Sequence, residues 1–434
     1  MIGAFIQIFI LLTMALLVAR PKVGLCLYLA CNFLIPSLEL SFIGLEAVET
    51  SVLFALFFIA ANRGNVKHIK KIDYSPLIPF FVLYSVLFLL TFFSAQEVPL
   101  GFSVKNFVRY VILTFIIPAC IYTMITCKPR LLKPASKTML LVIAIIVTYG
   151  LLLTLSPGVN PYIEFLSKEI NMPEIHLGRA EGRMFGAISS VFMHPMSFGT
   201  MLGFSFCYVM YSRKYLGMNS FVFIVLSGMI LLGTLFCGVR SSLAALMGTG
   251  VVYLLMKRKF KLLVAAAIIV GIAMLVMSYI PMLDAYVRSL FQMESDDVSG
   301  SSINQRLEQL EASLWEISDN PTFGNGYAWH SYYIWQNDGY GHPLLHGWES
   351  LIFVALTDSG YAGVIVWIIF SIYFFVKFRE IGLICLFTYF MLFRIATGTF
   401  GEEMFYIFYV LFLCVQNRIP GRVLQKRQVK LKPA

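Results

Sequence analysis

The residues best able to do chemistry in this chain are arginines at the borders of apolar runs and histidines within one aromatic segment. Arg240 stands alone in "LFCGVRSSLAAL"; Arg183 lies in "GRAEGRMFGAISS" and Arg306 in "SSINQRLEQLEASLWE". A guanidinium offers a planar fork of donors that grips a phosphate through two bonds at once, which an ammonium cannot. Several such forks at one border suit an anionic, phosphate-bearing ligand. The plainer alternative is that each arginine pairs with an acid such as Glu181, Asp284 or Glu308, or reaches for lipid headgroups. The second group lies in "GNGYAWHSYYIWQNDGYGHPLLHGWES", which holds His330, His342, His346, Trp348 and Glu349. His346 and Glu349 are the two candidates for a general base, for which reach matters more than resting pKa. Aromatic faces among short polar groups suit sugar rings, with His330, His342 and Trp348 as weaker candidate contacts. An interfacial aromatic belt is the competing reading.

Elements that could position these residues follow from composition. Of 434 residues, 59% are hydrophobic and 13% charged, about half the ~25% charge of a soluble domain. Mean hydropathy is +0.80. Apolar stretches such as Ile2 to Val18, Val108 to Ile125, Phe221 to Cys237 and Leu262 to Ile280 approach the ~20 residues that cross a bilayer core. The expected fold is therefore all-α: a polytopic integral membrane protein with roughly 12–13 transmembrane helices and a large outer loop carrying short helices. A barrel would instead show ~10-residue alternating strands. Met1 to Leu17 lacks a basic n-region and a small-residue cleavage site, so it reads as a retained span. Residues 23–61 fit either two short spans or one span and a re-entrant piece.

The net charge of +10 does not point to nucleic acid, because the basic residues gather in short loops as the positive-inside rule expects. The eight cysteines lie in or beside apolar segments without metal-ligand spacing and read as packed apolar residues. Seven basic clusters, from "ARPK" at 19–22 to "NRIPGRVLQKRQVK" at 417–430, are assigned to the cytoplasm. The polar segments Ser156 to Met184 and Pro281 to Gly347 then fall outside, and Arg109, Arg183, Arg240, Arg306 and Arg394 come to the outer ends of their spans. The chain divides into N-terminal helices (1–155), central helices with a first outer loop at 156–184 (156–280), a large outer loop (281–347), C-terminal helices (348–417) and a basic cytoplasmic tail (418–434). In the large loop, Ser302 and Gln305 form a capping-box pattern. Leu307, Leu310, Leu314 and Ile317 follow helical spacing up to Asn320-Pro321. A further helix is expected to begin near Met196, its outward N-terminus favouring an anion.

Four segments together resemble the O-antigen ligase and polymerase superfamily of bacterial envelope glycosyltransferases. "GRMFGAISSVFMHPMSFGTML" is similar to that family's R-x-x-G-x-F…P-N-x-x-G stretch, with Met196 where asparagine is common. "GVRSSLAAL" resembles its S-R-[AG] turn, with Arg240 as the matching arginine. "NQRLEQLEASLWEISDNPTFGNG" resembles its R-x-x-x-W…D-x-P-[LF]-x-G-x-G segment, and "ESLIFVALTDSGYAG" its H-N-x-x-L-x-x-x-x-E-x-G-x-x-G helix start. Counting back from Gly360 and Gly363, the family's histidine position falls on Glu349, and the nearest histidine, His346, lies three residues earlier.

The resemblance implies a GT-C type membrane enzyme that needs no cofactor and no metal, its active site facing the periplasm of the bacterial inner membrane. It implies an undecaprenyl-diphosphate-linked glycan as donor, an acceptor glycan or glycolipid, and a chain-length regulator and flippase as working partners. Arg240 and Arg183 would meet the diphosphate, Arg306 the diphosphate or a loop, and His346 or Glu349 would be the base. The displaced histidine favours a polysaccharide polymerase over a ligase acting on a lipid A core. A transporter is a further alternative, and would show charged or broken helices at mid-span.

Overall fold

The computed structural model describes residues 2–35, 45, 47–156, 160–170, 188–277, 279, 303–337, 342–345, 350–398 and 401–417. Arg183, Ser302, His346, Trp348 and Glu349 lie outside the described residues. Among those described, the protein is all-helical, without a strand. The helices are α1 (Ile2–Ala19), α2 (Pro21–Leu34), α3 (Ala47–Ala61), the single turn α4 (Val66–Ile69), α5 (Ile78–Leu90), α6 (Leu100–Val111), α7 (Ile117–Cys127), α8 (Leu132–Leu153) and α9 (Pro161–Ile170). They continue with α10 (Pro195–Leu216), α11 (Ser220–Phe236), α12 (Arg240–Met256), α13 (Phe260–Met277), α14 (Ile303–Glu316), α15 (Trp329–Gln336), α16 (Leu351–Lys377), α17 (Ile381–Thr397) and α18 (Glu402–Gln416). A π-helical stretch, Ile112–Ile116, joins α6 to α7.

Among the described residues, three helical units are long and apolar enough to cross a membrane: Leu100–Cys127, Pro129–Leu153 and Leu351–Lys377. Shorter apolar helices surround them, including Pro21–Leu34 and Val48–Ala61, so residues 23–61 contribute to two helices. Several outward faces carry large apolar side chains. On α16, Ile365, Ile368, Ile369, Ile372 and Val376 recur at helical spacing and are each more than half exposed. A contiguous apolar stripe of this kind is suited to an apolar surrounding and ill suited to water.

The core centres on α18, which is buried along almost its whole length. Its rings interlock with those of α5, α16 and α17: Phe405 stacks on Phe390 at 4.1 Å, and Tyr409 meets Phe80 at 5.2 Å and Phe374 at 6.0 Å. Small residues let helices meet without side chains between them. A Cβ on Gly203 of α10 would fall inside the ring of Tyr389 on α17. That ring cannot retreat cheaply, because its hydroxyl donates to Gly199 O at 2.8 Å and meets Ser242 Oγ at 2.8 Å. Gly203→Ala is therefore expected to destabilise the fold by about 1–3 kcal/mol, the usual cost of overpacking. Thermal unfolding in detergent reads this; an unchanged midpoint would mean the two helices are free to separate.

The helix expected before Asn320-Pro321 forms as its periodicity predicts, but the buried face follows the leucine spacing only in part, at Leu310 and Ile317. Gln309, Ala312, Ser313 and Ile317 are buried, whereas Leu307, Leu314 and Trp315 are exposed. α14 packs on α16, and small Ala312 and Ser313 allow a close approach that a leucine ridge would prevent. Leu307, Leu314 and Trp315 are turned away.

Candidate functional site

The site begins with a break in α16. Gly360 adopts φ 61 and ψ −158, far from helical values, in a region of backbone space open essentially only to glycine. Such a break frees carbonyls before it and N–H groups after it, and these must find partners where water is excluded. The loop 321–326 supplies them. Asn325 N–H and Gly326 N–H donate to Thr357 O and Asp358 O at 3.0 and 2.9 Å. Tyr361 N–H and Ala362 N–H donate to Pro321 O and Thr322 O, both at 3.0 Å. The loop's other edge is held by the turn after α5: Ala95 N–H and Glu97 N–H donate to Gly324 O and Asn325 O at 2.9 and 3.1 Å. Further clamps are Tyr327 N–H on Thr91 Oγ1 at 3.1 Å and Ser103 Oγ on Tyr327 O at 3.0 Å. The segments "SDNPTFGNG" and "TDSGYAG", about thirty residues apart, thus lock into one another.

This lock aims an acid at a histidine. Asp358, two residues before the break, accepts from the N–H groups of Ala328 and His330 at 3.1 and 3.0 Å, at the start of α15. Its two oxygens also lie 3.1 and 3.0 Å from His330 Nδ1. A carboxylate accepts only, so Nδ1 carries the proton and Nε2 is left as the acceptor. Ser331 Oγ sits 3.0 Å from that Nε2. Ala328 holds φ 67, a left-handed conformation unusual for a side-chain-bearing residue, and so turns the chain into α15 at this point.

His330 and Asp358 line a chamber of about 40 Å³ together with Arg394, Glu402, Tyr327 and Tyr110, large enough for one or two water-sized groups. Arg394 Nη1 pairs with Glu402 Oε1 at 3.0 Å, and both side chains are about 95% buried. The guanidinium is sandwiched against Trp367 and Phe390, 5.0 and 5.2 Å from the ring centres. Glu402 also accepts from the hydroxyls of Tyr84 and Tyr406. Three polar atoms around this chamber, Arg394 Nε, Glu402 Oε2 and Tyr327 Oη, are buried and make no hydrogen bond among the described residues. Burial pushes the Tyr327 hydroxyl well above its ordinary pKa, so it stays protonated and able to donate.

The other two segments singled out in the sequence also meet. α10 begins at Pro195, its first turn capped by His194 Nδ1, which accepts from Met196 N–H at 3.1 Å. Ser242 of the α12 segment donates to Gly199 O at 3.0 Å. Arg240, half-buried, is the first residue of α12. A Cβ on Gly401 would lie 3.3 Å from Thr200, so the starts of α10, α12 and α18 share one end of the bundle with the chamber. Arg306 Nη2 donates to Ala396 O at 2.7 Å, which ties α14 to the end of α17.

The structure brings His330, Arg306 and Arg240 to this end of the bundle. His342 is built into packing instead: its Nε2 lies 2.9 Å from Glu316 Oε1, its Nδ1 accepts from two backbone N–H groups, and its ring packs on Tyr333. Asp358, Glu402 and Tyr327 were given no role from sequence. Each had a visible signal, since Asp358 and Glu402 are acids at the edge of long apolar runs and Tyr327 follows the G-N-G turn. No known protein-family model matches the chain, and no curated protein matches it significantly.

Proposed function

We propose that the protein is a multi-pass membrane glycosyltransferase of the bacterial cytoplasmic membrane. It transfers a glycan from undecaprenyl diphosphate to a sugar hydroxyl on the periplasmic face, as a polymerase of envelope polysaccharide such as O-antigen, capsule or exopolysaccharide. One observation carries the reading: the segments that carry the resemblance meet in two pairs at one end of an apolar bundle, Ser242 on Gly199 and the 321–326 loop in the break at Gly360, and the second pair stands beside a chamber lined by a His–Asp pair and an arginine. In the proposed reaction the acceptor oxygen attacks the anomeric carbon and the C–O bond to the diphosphate breaks with inversion. Arg240, with Arg183, meets the charge that builds on the leaving diphosphate, the kind of charge stabilisation that dominates such steps.

The test is product length. A deletion strain that caps its lipid core with single repeat units supports the polymerase. Long polymer stranded on the lipid carrier would instead assign the ligase reaction. Purified protein in vesicles with lipid-diphosphate-linked repeat units should lengthen them, and failure to consume the donor would refute both.

Arg240→Lys is expected to fail nearly as badly as Arg240→Ala, because lysine keeps the charge and loses the fork. Each charged hydrogen bond lost is worth about 1.5–3 kcal/mol, roughly a 10–150-fold loss of transfer. A lysine variant with full transfer at normal protein level would reduce Arg240 to a charge reaching for headgroups.

The break at Gly360 beside buried Asp358 favours a second reading, because broken helices with nearby acids are typical of transporters. There, however, freed backbone groups face the cargo. Here Thr357 O, Asp358 O, Tyr361 N–H and Ala362 N–H are taken up by the loop. Counterflow of a labelled solute into vesicles without glycan donor would decide for transport.

A further inference from the structure

We propose that His330, held by Asp358, is the base that accepts the proton of the attacking sugar hydroxyl, and that the chamber beside it is the seat of that hydroxyl. The inference rests on the glycosyl-transfer reading and moves its base away from His346 and Glu349.

The charge balance of the chamber selects its occupant. Arg394 is already matched by Glu402 at 3.0 Å and His330 faces Asp358, so there is no surplus positive charge to hold a diphosphate. A neutral, hydroxyl-bearing group fits better. The buried and unbonded Arg394 Nε, Tyr327 Oη and Glu402 Oε2 offer two donors and one acceptor, the complement a sugar's hydroxyls require. Tyr110 and Trp367 add aromatic walls. The space accommodates the reacting end of a sugar and not the whole ring, so the rest of the acceptor would lie outside it.

The geometry of His330 is that of a base prepared for one direction of proton transfer. Nδ1 is committed to Asp358, and the backbone N–H groups of Ala328 and His330 hold that carboxylate in place. Nε2 is therefore the basic atom, with Ser331 Oγ 3.0 Å away as its neighbour in the resting protein. In the step, the acceptor O–H gives its proton to Nε2 as its oxygen bonds to the anomeric carbon. The electron pair of the breaking C–O bond leaves with the diphosphate. The imidazolium so formed is balanced by Asp358, and its proton later passes to solvent or to the departing diphosphate. Asp358 is a positioning residue in this scheme.

The experiment uses the full chain in vesicles, a lipid-diphosphate-linked repeat unit as donor and acceptor, and transfer rate as the readout. His330→Ala should slow transfer roughly 10²–10⁴-fold, the usual contribution of a general base. His330→Gln should do the same with less change of packing. Added imidazole should restore His330→Ala at least about tenfold by occupying the vacated space and accepting the proton. Gln336→Ala, at an exposed position on the same helix, should keep transfer within about threefold, well short of the loss of a base. Wild-type transfer by folded His330→Ala overturns the assignment alone. Loss with a normal melting profile and no response to imidazole makes His330 a structural prop and also overturns it. A Ser331→Ala variant as dead as His330→Ala would make the serine hydroxyl the reacting group. If the wild-type chain transfers nothing, the glycosyl-transfer reading falls, and this assignment falls with it.

Discussion

Gly360→Ala is expected to unlock the loop from α16 and to abolish transfer, although the substitution adds one methyl group. The backbone there has φ 61 and ψ −158, a conformation that costs a side-chain-bearing residue about 1–3 kcal/mol. The added Cβ would also stand 2.6 Å from Pro321 O and Thr322 O. These are backbone atoms of the loop, so relief requires the loop itself to move. Moving it puts at risk the backbone bonds across the break, each worth about 0.5–1.5 kcal/mol net and more when a buried group is stranded. Asp358 and His330 sit on the two sides of that lock, so the chamber loses its geometry before the bundle unfolds. The expected pattern is loss of transfer in a protein that still inserts and melts, at a lower temperature. Gly250→Ala on α12 is the control: its Cβ would meet nothing within 4 Å, and a helical Gly→Ala change should be neutral or stabilising by about 0.5–1 kcal/mol. If Gly360→Ala and Gly250→Ala behave alike, the lock does not hold the site.

How far this site could be read from sequence depends on range. Apolar runs and their interruptions foretold the helices, because helix formation in an apolar setting is a local matter of backbone satisfaction. The start of α10 near Met196 and the helix ending before Asn320-Pro321 followed from local signals of the same kind. The buried face of α14 followed only in part: Leu310 and Ile317 turn inward, but Ala312 and Ser313, packed on α16, take the place that spacing gave to Leu307 and Leu314. Arg240 stood out by itself, and Gly360 and the glycines of "NPTFGNG" only within the segments that carry the resemblance. That the turn fills the break at Gly360, and thereby presents Asp358 to His330, is a pairing of segments far apart in the chain. A single sequence has no periodicity that reports such a contact. Arg394 was noticeable as a charge in an apolar run, but its partner Glu402 lies across the turn after α17. His330 ranked low because a histidine among aromatics is more often packed than reactive, as His342 proves to be.

Arg394→Met is expected to be the most damaging single change to stability. Among the described residues it would leave buried Glu402 with the hydroxyls of Tyr84 and Tyr406 as its side-chain partners. Removing one partner of a buried ion pair typically costs about 3–5 kcal/mol, because the other charge is stranded in a low-dielectric interior. Glu402→Gln should cost less, since the amide carries no charge and can still accept from a tyrosine, although Arg394 then loses its counter-charge. The double variant, Arg394→Met with Glu402→Gln, removes both charges at once, and burying a neutral pair of similar shape is often close to neutral. It should therefore be more stable than Arg394→Met alone, a coupling that distant, independent sites do not show. Arg394→Lys should fall between, because it keeps the charge but gives up the guanidinium stacked between Trp367 and Phe390, 5.0 and 5.2 Å from their centres. Unfolding in detergent measures all four. Strict additivity of the two single changes would show that the pair is not a unit. If the pair does couple and the stable double variant still transfers no glycan, these charges serve the chamber's hydroxyl-binding geometry as well as the fold; if the double variant transfers at the wild-type rate, Arg394 and Glu402 are structural only, and the occupant of the chamber is held by Tyr327 and His330 without them.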